Sequence, residues 1–389
     1  MPDTWISPER VLMGPGPSNI HPRVLRAMAQ QTIGHLDPHF LVLMDRVGEG
    51  LRHLFQTRNP VTLAISGTGM SGMEACLVNL VEPGDRVVVG VHGYFGERLV
   101  DLAARVGGEV TRVEVEWGRA LDPAALIDAV RRVRPALVAC VHAETSTGVL
   151  QPVEEIAAAA REAGALMLLD TVTSLGGVEV RIDDWGVDAA YSGTQKCVGC
   201  PSGLAPVTFS ERAMERVRRR STRVPSFYFD LALLSQYWGT ERIYHHTAPA
   251  NMLFGLNEAL DMIAAEGLEV RYARHQRNAR ALRAGLQAMG LRLFADEAYW
   301  LPSLTTVCIP EGVNDLPVRQ ALLRDWNLEI GGGLGPVRGR VWRIGLMGHT
   351  SSPANVLYAL HGLHSVLAGL GVSLPDGLAA AAQALEASA

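Results

Sequence analysis

The sequence predicts an α/β fold with one large unit and one smaller one. Three observations carry that expectation. Short apolar runs alternate with helical patterns along most of the chain. Those runs are apolar throughout, as strands covered on both faces by helices are, in a parallel or mixed sheet. And 389 residues with 48% hydrophobic content exceed one simple core and suit a large domain followed by a smaller one.

Taken in order, the chain opens on MPDTWISPER, which has no basic start followed by an apolar stretch, so no secretory signal is expected. Gly14-Pro15-Gly16-Pro17 then punctuates the backbone ahead of helical patterns at 22–31 and 40–55. Strand patterns follow at 61–66, 86–91, 109–115, 136–141 and 165–169, with a short one starting at Asp188. Helical patterns at 72–80, 97–106, 123–133 and 153–163 lie between them. The character changes near residue 250. Two long helical patterns, 251–266 and 269–289, break at Gly267; then come a strand at 304–309, a helix at 318–325, a strand at 342–346 and a helix at 355–367. The expected division is an N-terminal segment 1–22, a large domain 23–264 and a small C-terminal α/β domain 265–389. The Ala-rich tail, 379–389, reads as an exposed helix or a frayed end.

Composition narrows the function. The formal net charge of −5 leaves no basic footprint for nucleic acid, and the cluster Arg216, Arg218, Arg219, Arg220, Arg223 reads as a solvated helix end. The longest apolar runs fall far short of a membrane span. Five cysteines are expected to be reduced thiols of a cytoplasmic protein. Cys197 and Cys200 spell C-x-x-C without the second pair or nearby histidines that zinc would need, so no metal is expected. One count is more telling: of 35 basic residues, 34 are arginine and one, Lys196, is lysine. Exposed positive charges can usually be either residue. A lysine surviving in so arginine-biased a chain points to chemistry a guanidinium cannot do, and only an amine that loses its proton forms imines with carbonyls.

Four motifs carry chemistry. Gly67-Thr68-Gly69-Met70-Ser71-Gly72 follows a strand and opens a helix, where free amides and the helix dipole suit a phosphate. It matches G-x-G-x-x-G, but the next strand does not end in the acidic residue a dinucleotide site wants, and no Walker lysine follows. Asp170 ends a buried strand, where a carboxylate needs donors or a cation, such as a protonated pyridine nitrogen. Helix capping is its structural alternative. Lys196, in Tyr191-Ser192-Gly193-Thr194-Gln195-Lys196, has no acidic residue within seven positions on either side, and such company lowers an amine's pKa. Arg343, inside the strand pattern Val341-Trp342-Arg343-Ile344-Gly345, offers a planar fork for a carboxylate, with an internal salt bridge as the alternative.

Together these four are what pyridoxal phosphate chemistry requires. The chain resembles the class V, fold-type I aminotransferases, most of all the alanine–glyoxylate and serine–glyoxylate (serine–pyruvate) group. The resembling stretches run in order through nearly the whole chain: GPGPSNIHPRVL at 14–25, GHLDPHF at 34–40, SGTGMSGMEACLVNLVEPGD at 66–85, ETSTGVLQPV at 144–153, LLDTVTSLGG at 168–177, SGTQK at 192–196, YHHTAP at 244–249 and WRIGLMG at 342–348. The resemblance implies a mostly parallel, seven-stranded-type sheet and pyridoxal 5'-phosphate held on Lys196 as an imine. It implies Asp170 at the pyridine nitrogen and Thr68, Gly69, Met70 and Gln195 at the phosphate. Phe95 would stack on the ring where relatives often have Trp, Val172 would pack on its other face, and Thr145 would sit near the ring hydroxyl. Tyr244 and Thr247 match positions that reach the phosphate of the other subunit of a homodimer, and Arg343, with Gly16, lies on the substrate side. Met70 and Phe95 depart from the residues usual there. The implied reaction is ping-pong transamination of alanine or serine with glyoxylate or pyruvate.

Other readings stay open at this point. Ureidoglycine or aspartate could be the donor on the same framework. A lyase or desulfurase would need a nucleophilic Cys on a mobile small-domain loop, whereas Cys308, in Thr306-Val307-Cys308-Ile309, reads as a core thiol. A nicotinamide-binding dehydrogenase or non-catalytic dinucleotide module would use the glycine motif alone.

Overall fold

The computed structural model describes residues 6–387. Its strands are β1 (Val11–Leu12), β2 (Val61–Ser66), β3 (Arg86–Val91), β4 (Glu109–Glu114), β5 (Leu137–Val141), β6 (Ala143–Glu144), β7 (Val149–Leu150), β8 (Leu166–Asp170), β9 (Ala189–Tyr191), β10 (Leu204–Phe209), β11 (Leu304–Cys308), β12 (Leu328–Glu329), β13 (Gly331–Gly332) and β14 (Val341–Gly345). Its helices are α1 (Pro22–Met28), α2 (Pro38–Phe55), α3 (Gly69–Leu80), α4 (Tyr94–Arg105), α5 (Pro123–Val133), α6 (Glu154–Glu162), α7 (Ile182–Trp185), α8 (Glu211–Arg218), α9 (Leu231–Trp238), α10 (Ala250–Glu266), α11 (Leu268–Ala288), α12 (Asp315–Asp325), α13 (Pro353–Gly369) and α14 (Leu378–Glu386).

The central sheet has seven strands in the order β2-β10-β9-β8-β5-β3-β4. Only β10 runs against its neighbours, so the sheet is mostly parallel, as expected. One hydrophobic cluster packs on each face. The first joins α2, α5, α6 and α10 to inward residues such as Val88, Val138, Met167 and Leu169; the second joins α3, α4, α8 and α9 to Val87, Val89, Ala139 and Leu168. Consecutive residues of β5 and β8 thus point into opposite cores, which is why both strands are apolar throughout. At roughly 2 kcal/mol for each fully buried large aliphatic side chain, these two layers hold the sheet edge that carries the chemistry.

A third cluster surrounds the three-stranded sheet β11-β14-β13 and helices α11 to α14. The N-terminal segment joins it: β1 pairs parallel with β12, and Met13 donates to Glu329 O at 2.9 Å while Gly345 donates to Met13 O at 2.7 Å.

Several sequence expectations need correction. β4 is an edge strand of alternating exposure, not covered on both faces, and its charged side chains keep that edge polar. Helices expected at 72 and 97 start three residues earlier, at Gly69 and Tyr94, because glycines obscured the start of each pattern. β10 was missing from the pattern altogether. The tail is no frayed end up to Glu386: α14 lies along α11 with Ala381 fully buried, while residues 388–389 fall outside the described part. The arginine cluster is only partly solvated. Arg216 pairs with Asp85 and Glu82, and Arg220 donates to the carbonyls of Asn79 and Val81 at 2.9 Å. Cys308 is half-buried at the end of β11 rather than fully in the core, and all five cysteines are free thiols. Among the described residues no helix is long and apolar enough to cross a membrane, and no group of three or more metal-ligating side chains forms.

Candidate active site

The chemistry-bearing residues gather at the carboxyl ends of the parallel strands, where ligands bind in open α/β sheets. β2 runs into Gly67-Thr68-Gly69. Thr68 is the N-cap of α3 but makes no side-chain capping bond, so the amides of Gly69 and Met70 have no acceptor inside the helix. Gly67 has φ +147, a backbone that L side chains rarely adopt, and a Cβ there would lie 2.4 Å from Ser71 Oγ. A Cβ on Gly69 would meet Val172 at 3.3 Å and Gly193 at 3.6 Å, which brings the loop against the segments following β8 and β9. The result is an anion cradle lined by backbone.

Asp170 is the last residue of β8 and is buried. Its parallel partner on β9 is Tyr191, whose hydroxyl donates to Asp170 Oδ2 at 2.6 Å; Val172 N donates to Oδ1 at 2.8 Å. Burial still pushes this carboxyl up to about 7, because two donors do not replace the lost water and no cation pairs with it among the described residues. The capping alternative therefore fails as a full account: Asp170 caps only Val172 N, and its charge is left without a partner.

Lys196 is buried in the turn after β9. Burial first, and then the nearby Arg343 charge, lowers its amine to about 8. Nζ donates to Pro15 O. Gly16 has φ +101 and lies so close that a Cβ there would sit 2.5 Å from Lys196 Cδ. Ser18 fixes the same turn, its hydroxyl donating to Lys196 O at 2.9 Å and its amide to Gln195 O at 2.9 Å. Gln195 Oε1 is buried with no partner.

Arg343 enters from β14. Its Nε donates to Gly332 O at 2.7 Å and Nη1 to Thr145 O at 3.2 Å, and burial lowers it to about 10. Two carbonyls orient the guanidinium and no carboxylate pairs with it among the described residues, so the internal salt bridge is excluded there. The neighbouring Arg319 is held bidentately by Asp315 at 2.7 and 2.8 Å. Pro15 links the two basic groups: its carbonyl takes Lys196 Nζ, and its ring packs against Gly331, beside Arg343 Cβ.

The structure therefore brings together Gly16, Gly69, Thr145, Asp170, Val172, Gln195, Lys196 and Arg343, with Thr68, Met70 and Phe95 on the adjoining helix starts. Thr145 Oγ1 lies 2.7 Å from Thr173 Oγ1, and either hydroxyl can be the donor. Phe95 is half-buried on the second core cluster, and Met70 is exposed. Tyr244 and Thr247 are set apart on the surface, although the adjacent His246 reaches Ser66 Oγ at 3.1 Å. Sequence reasoning missed Tyr191, Ser18 and Glu144. Tyr191 was the most legible of them, since it opens the same YSGTQK run as the lysine.

A backbone cradle for a phosphate, a buried carboxylate lacking a cation and a buried amine of lowered pKa fit the pyridoxal phosphate that the resemblance implies. Such a site suits imine chemistry at Lys196, beside a guanidinium whose fork suits a carboxylate. The chain belongs to the class V aminotransferases: residues 10–336 match that family. It is 42% identical to the solved ureidoglycine–glyoxylate aminotransferase of Bacillus subtilis, with a TM-score of 0.97 over 98% of this chain and 100% of that one. The alanine–glyoxylate aminotransferase of Nostoc sp. is 51% identical, with a TM-score of 0.93 over 94% of this chain and 97% of that one. The alanine–glyoxylate aminotransferase of Drosophila melanogaster is 44% identical over 354 residues, 90% of each chain. The chain is a fold-type I aminotransferase, and the dehydrogenase and dinucleotide-module readings fall away.

Proposed function

We propose that this chain moves the amino group of a small amino acid, alanine or serine, to glyoxylate or pyruvate, using pyridoxal 5'-phosphate bound at Lys196. The observation that carries the reading is Arg343: buried, oriented by two carbonyls, without an ion pair among the described residues, and in reach of the field of Lys196. When bound, the cofactor supplies an electron sink at the substrate Cα and carries nitrogen between the two substrates. Thr68, Gly69 and Met70 hold its phosphate with Gln195 beside them. Asp170, fixed by Tyr191 and Val172, holds a proton at the ring nitrogen. Thr145 lies toward the ring hydroxyl, and Phe95 and Val172 wall the ring. Arg343 clasps the substrate carboxylate with Gly16 beneath it. Lys196 Nζ takes the Cα proton and returns it across the transfer, base and then acid.

Arg319, whose charge acts on Arg343, is occupied by Asp315, which disfavours a dicarboxylic donor such as aspartate. Ureidoglycine remains a second reading for the donor, supported by the 0.97 TM-score to an enzyme named for it. The desulfurase reading is disfavoured by Cys308, held at the end of β11 rather than on a loop. A homodimer with shared active sites completes the proposal. Tyr244, beside the His35 ring, and Thr247 are exposed, and would reach the partner's phosphate site. The protein works in the cytoplasm, without nucleic acid, membrane or metal, and residues 23–264 and 265–389 are its two domains.

A donor-by-acceptor panel tests the substrates: alanine or serine with glyoxylate should outpace aspartate or glutamate with 2-oxoglutarate, and the reverse order overturns the assignment. Mixing Lys196→Ala with a Tyr244→Phe/Thr247→Ala variant should restore part of the lost activity if sites are shared. A fully active monomer refutes that part.

A further inference from the structure

Glu144 ends β6 in the hairpin with β7 and is completely buried. It has no basic partner within ion-pair distance among the described residues. Its two oxygens instead collect four donors. Oε1 accepts from Ser146 N at 3.0 Å and Ser146 Oγ at 2.7 Å; Oε2 accepts from Phe95 N at 3.1 Å and Gly96 N at 3.4 Å. Ser146 Oγ in turn accepts from Tyr94 N at 2.9 Å. The first three amides of α4, which a helix cannot satisfy internally, are thus all absorbed by Glu144 and the serine it holds. Gly93 makes room for it: a Cβ there would lie 2.3 Å from Glu144 Cγ. A residue of any size at 93 would push the carboxylate off these amides. The next residue along the hairpin, Thr145, gives its carbonyl to Arg343. Burial raises the Glu144 pKa, while the four donors oppose that rise.

We propose that Glu144 is a positioning residue of the reaction: one buried carboxylate fixes the start of α4, which presents Phe95, to the Thr145–Ser146 turn, which seats Arg343. The inference rests on the aminotransferase reading of the site. Oriented donors around a buried carboxylate make a stiff joint, because a displaced Phe95 leaves charged oxygens and helix amides unsatisfied together. Phe95 is attached by its own amide, so the backbone that carries its ring is held by the carboxylate directly. Arg343 also has Gly332 O, so its hold on a substrate carboxylate depends less on Glu144.

The test uses the holoenzyme and the variants Glu144→Ala and Glu144→Gln. Alanine removes all four acceptor contacts. Glutamine keeps one oxygen acceptor and turns an amide donor toward the remaining pair, so it rescues part of the joint. For Glu144→Ala the expected results are a loss of half or more of the visible circular dichroism of bound pyridoxal phosphate, on the order of tenfold weaker cofactor binding and about tenfold lower kcat, with KM within about threefold. Glu144→Gln should fall between alanine and wild type. General loosening would lower the melting temperature without changing the cofactor's dichroism. If either folded variant keeps wild-type dichroism and binds cofactor within about twofold of wild type, the proposal is overturned. Should Glu144→Ala not fold, Glu144→Gln decides by the same two readouts. A wild-type protein that binds no pyridoxal phosphate would refute the functional reading instead, so the two failures are distinguishable.

Discussion

Asp170 gives the sharpest link between function and stability. Burial is the chief reason that its carboxyl is pushed from an ordinary 3.8 up to about 7. The sign follows from proton counting. Between pH 4 and 7 the folded state binds a proton at Asp170 that the unfolded state has lost, so this group makes stability fall as pH rises. At about 1.4 kcal/mol per unit, the full cost above pH 7 is roughly 4 kcal/mol. Asp170→Asn removes the titration and keeps the shape. Its effect on Tyr191 and Val172 is a constant offset, so the pH dependence isolates the charge. Urea unfolding of apoprotein at a series of pH values from 4 to 8 should show the variant gaining on wild type progressively, by several kcal/mol across the range. Pyridoxal phosphate should reverse the order of the two at pH 8, with turnover in Asp170→Asn falling steeply. A stability difference independent of pH would mean that Asp170 is not held as an uncompensated charge and that the reasoning is wrong.

Arg343→Ala should raise KM for both donor and acceptor about 30-fold or more while cofactor stays bound, since a charge-assisted pair to a carboxylate typically contributes about 2 kcal/mol or more; steady-state kinetics and the visible spectrum check both halves. Capture of pyridoxal phosphate by apoprotein should accelerate with pH and level off above a midpoint near 8, because burial and Arg343 hold the Lys196 amine down at about 8 and only the neutral amine attacks. Stopped-flow absorbance would follow it, and a midpoint near the free-lysine value would contradict the buried setting.

The large sheet was legible because its strands are buried on both faces and leave unbroken apolar runs, as at β5 and β8. β4 misled for the opposite reason: valines at 110, 113 and 115 suggested burial, whereas an edge strand needs only one covered face. The start of α4 was hidden because Gly93 and Gly96 serve the joint with Glu144 and break the helical pattern. Among site residues, Lys196 stood out by composition alone and Asp170 by its place at a strand end. Ser18 and Pro15 did not, because their roles run through backbone contacts spanning about 180 residues of chain. Glu144 was quoted within its motif, but nothing local says that its oxygens bind amides 49 residues upstream.

Everything proposed for the site depends on Lys196 being the amine that holds the cofactor. Borohydride reduction of the yellow holoenzyme, followed by proteolysis and mass spectrometry of the peptides, tests it directly. With a single lysine in the chain, one reduced pyridoxyl adduct is expected, on the peptide containing Lys196, and none in Lys196→Ala. An adduct on the N-terminal amine instead, or a reduced protein that carries no adduct, would contradict it.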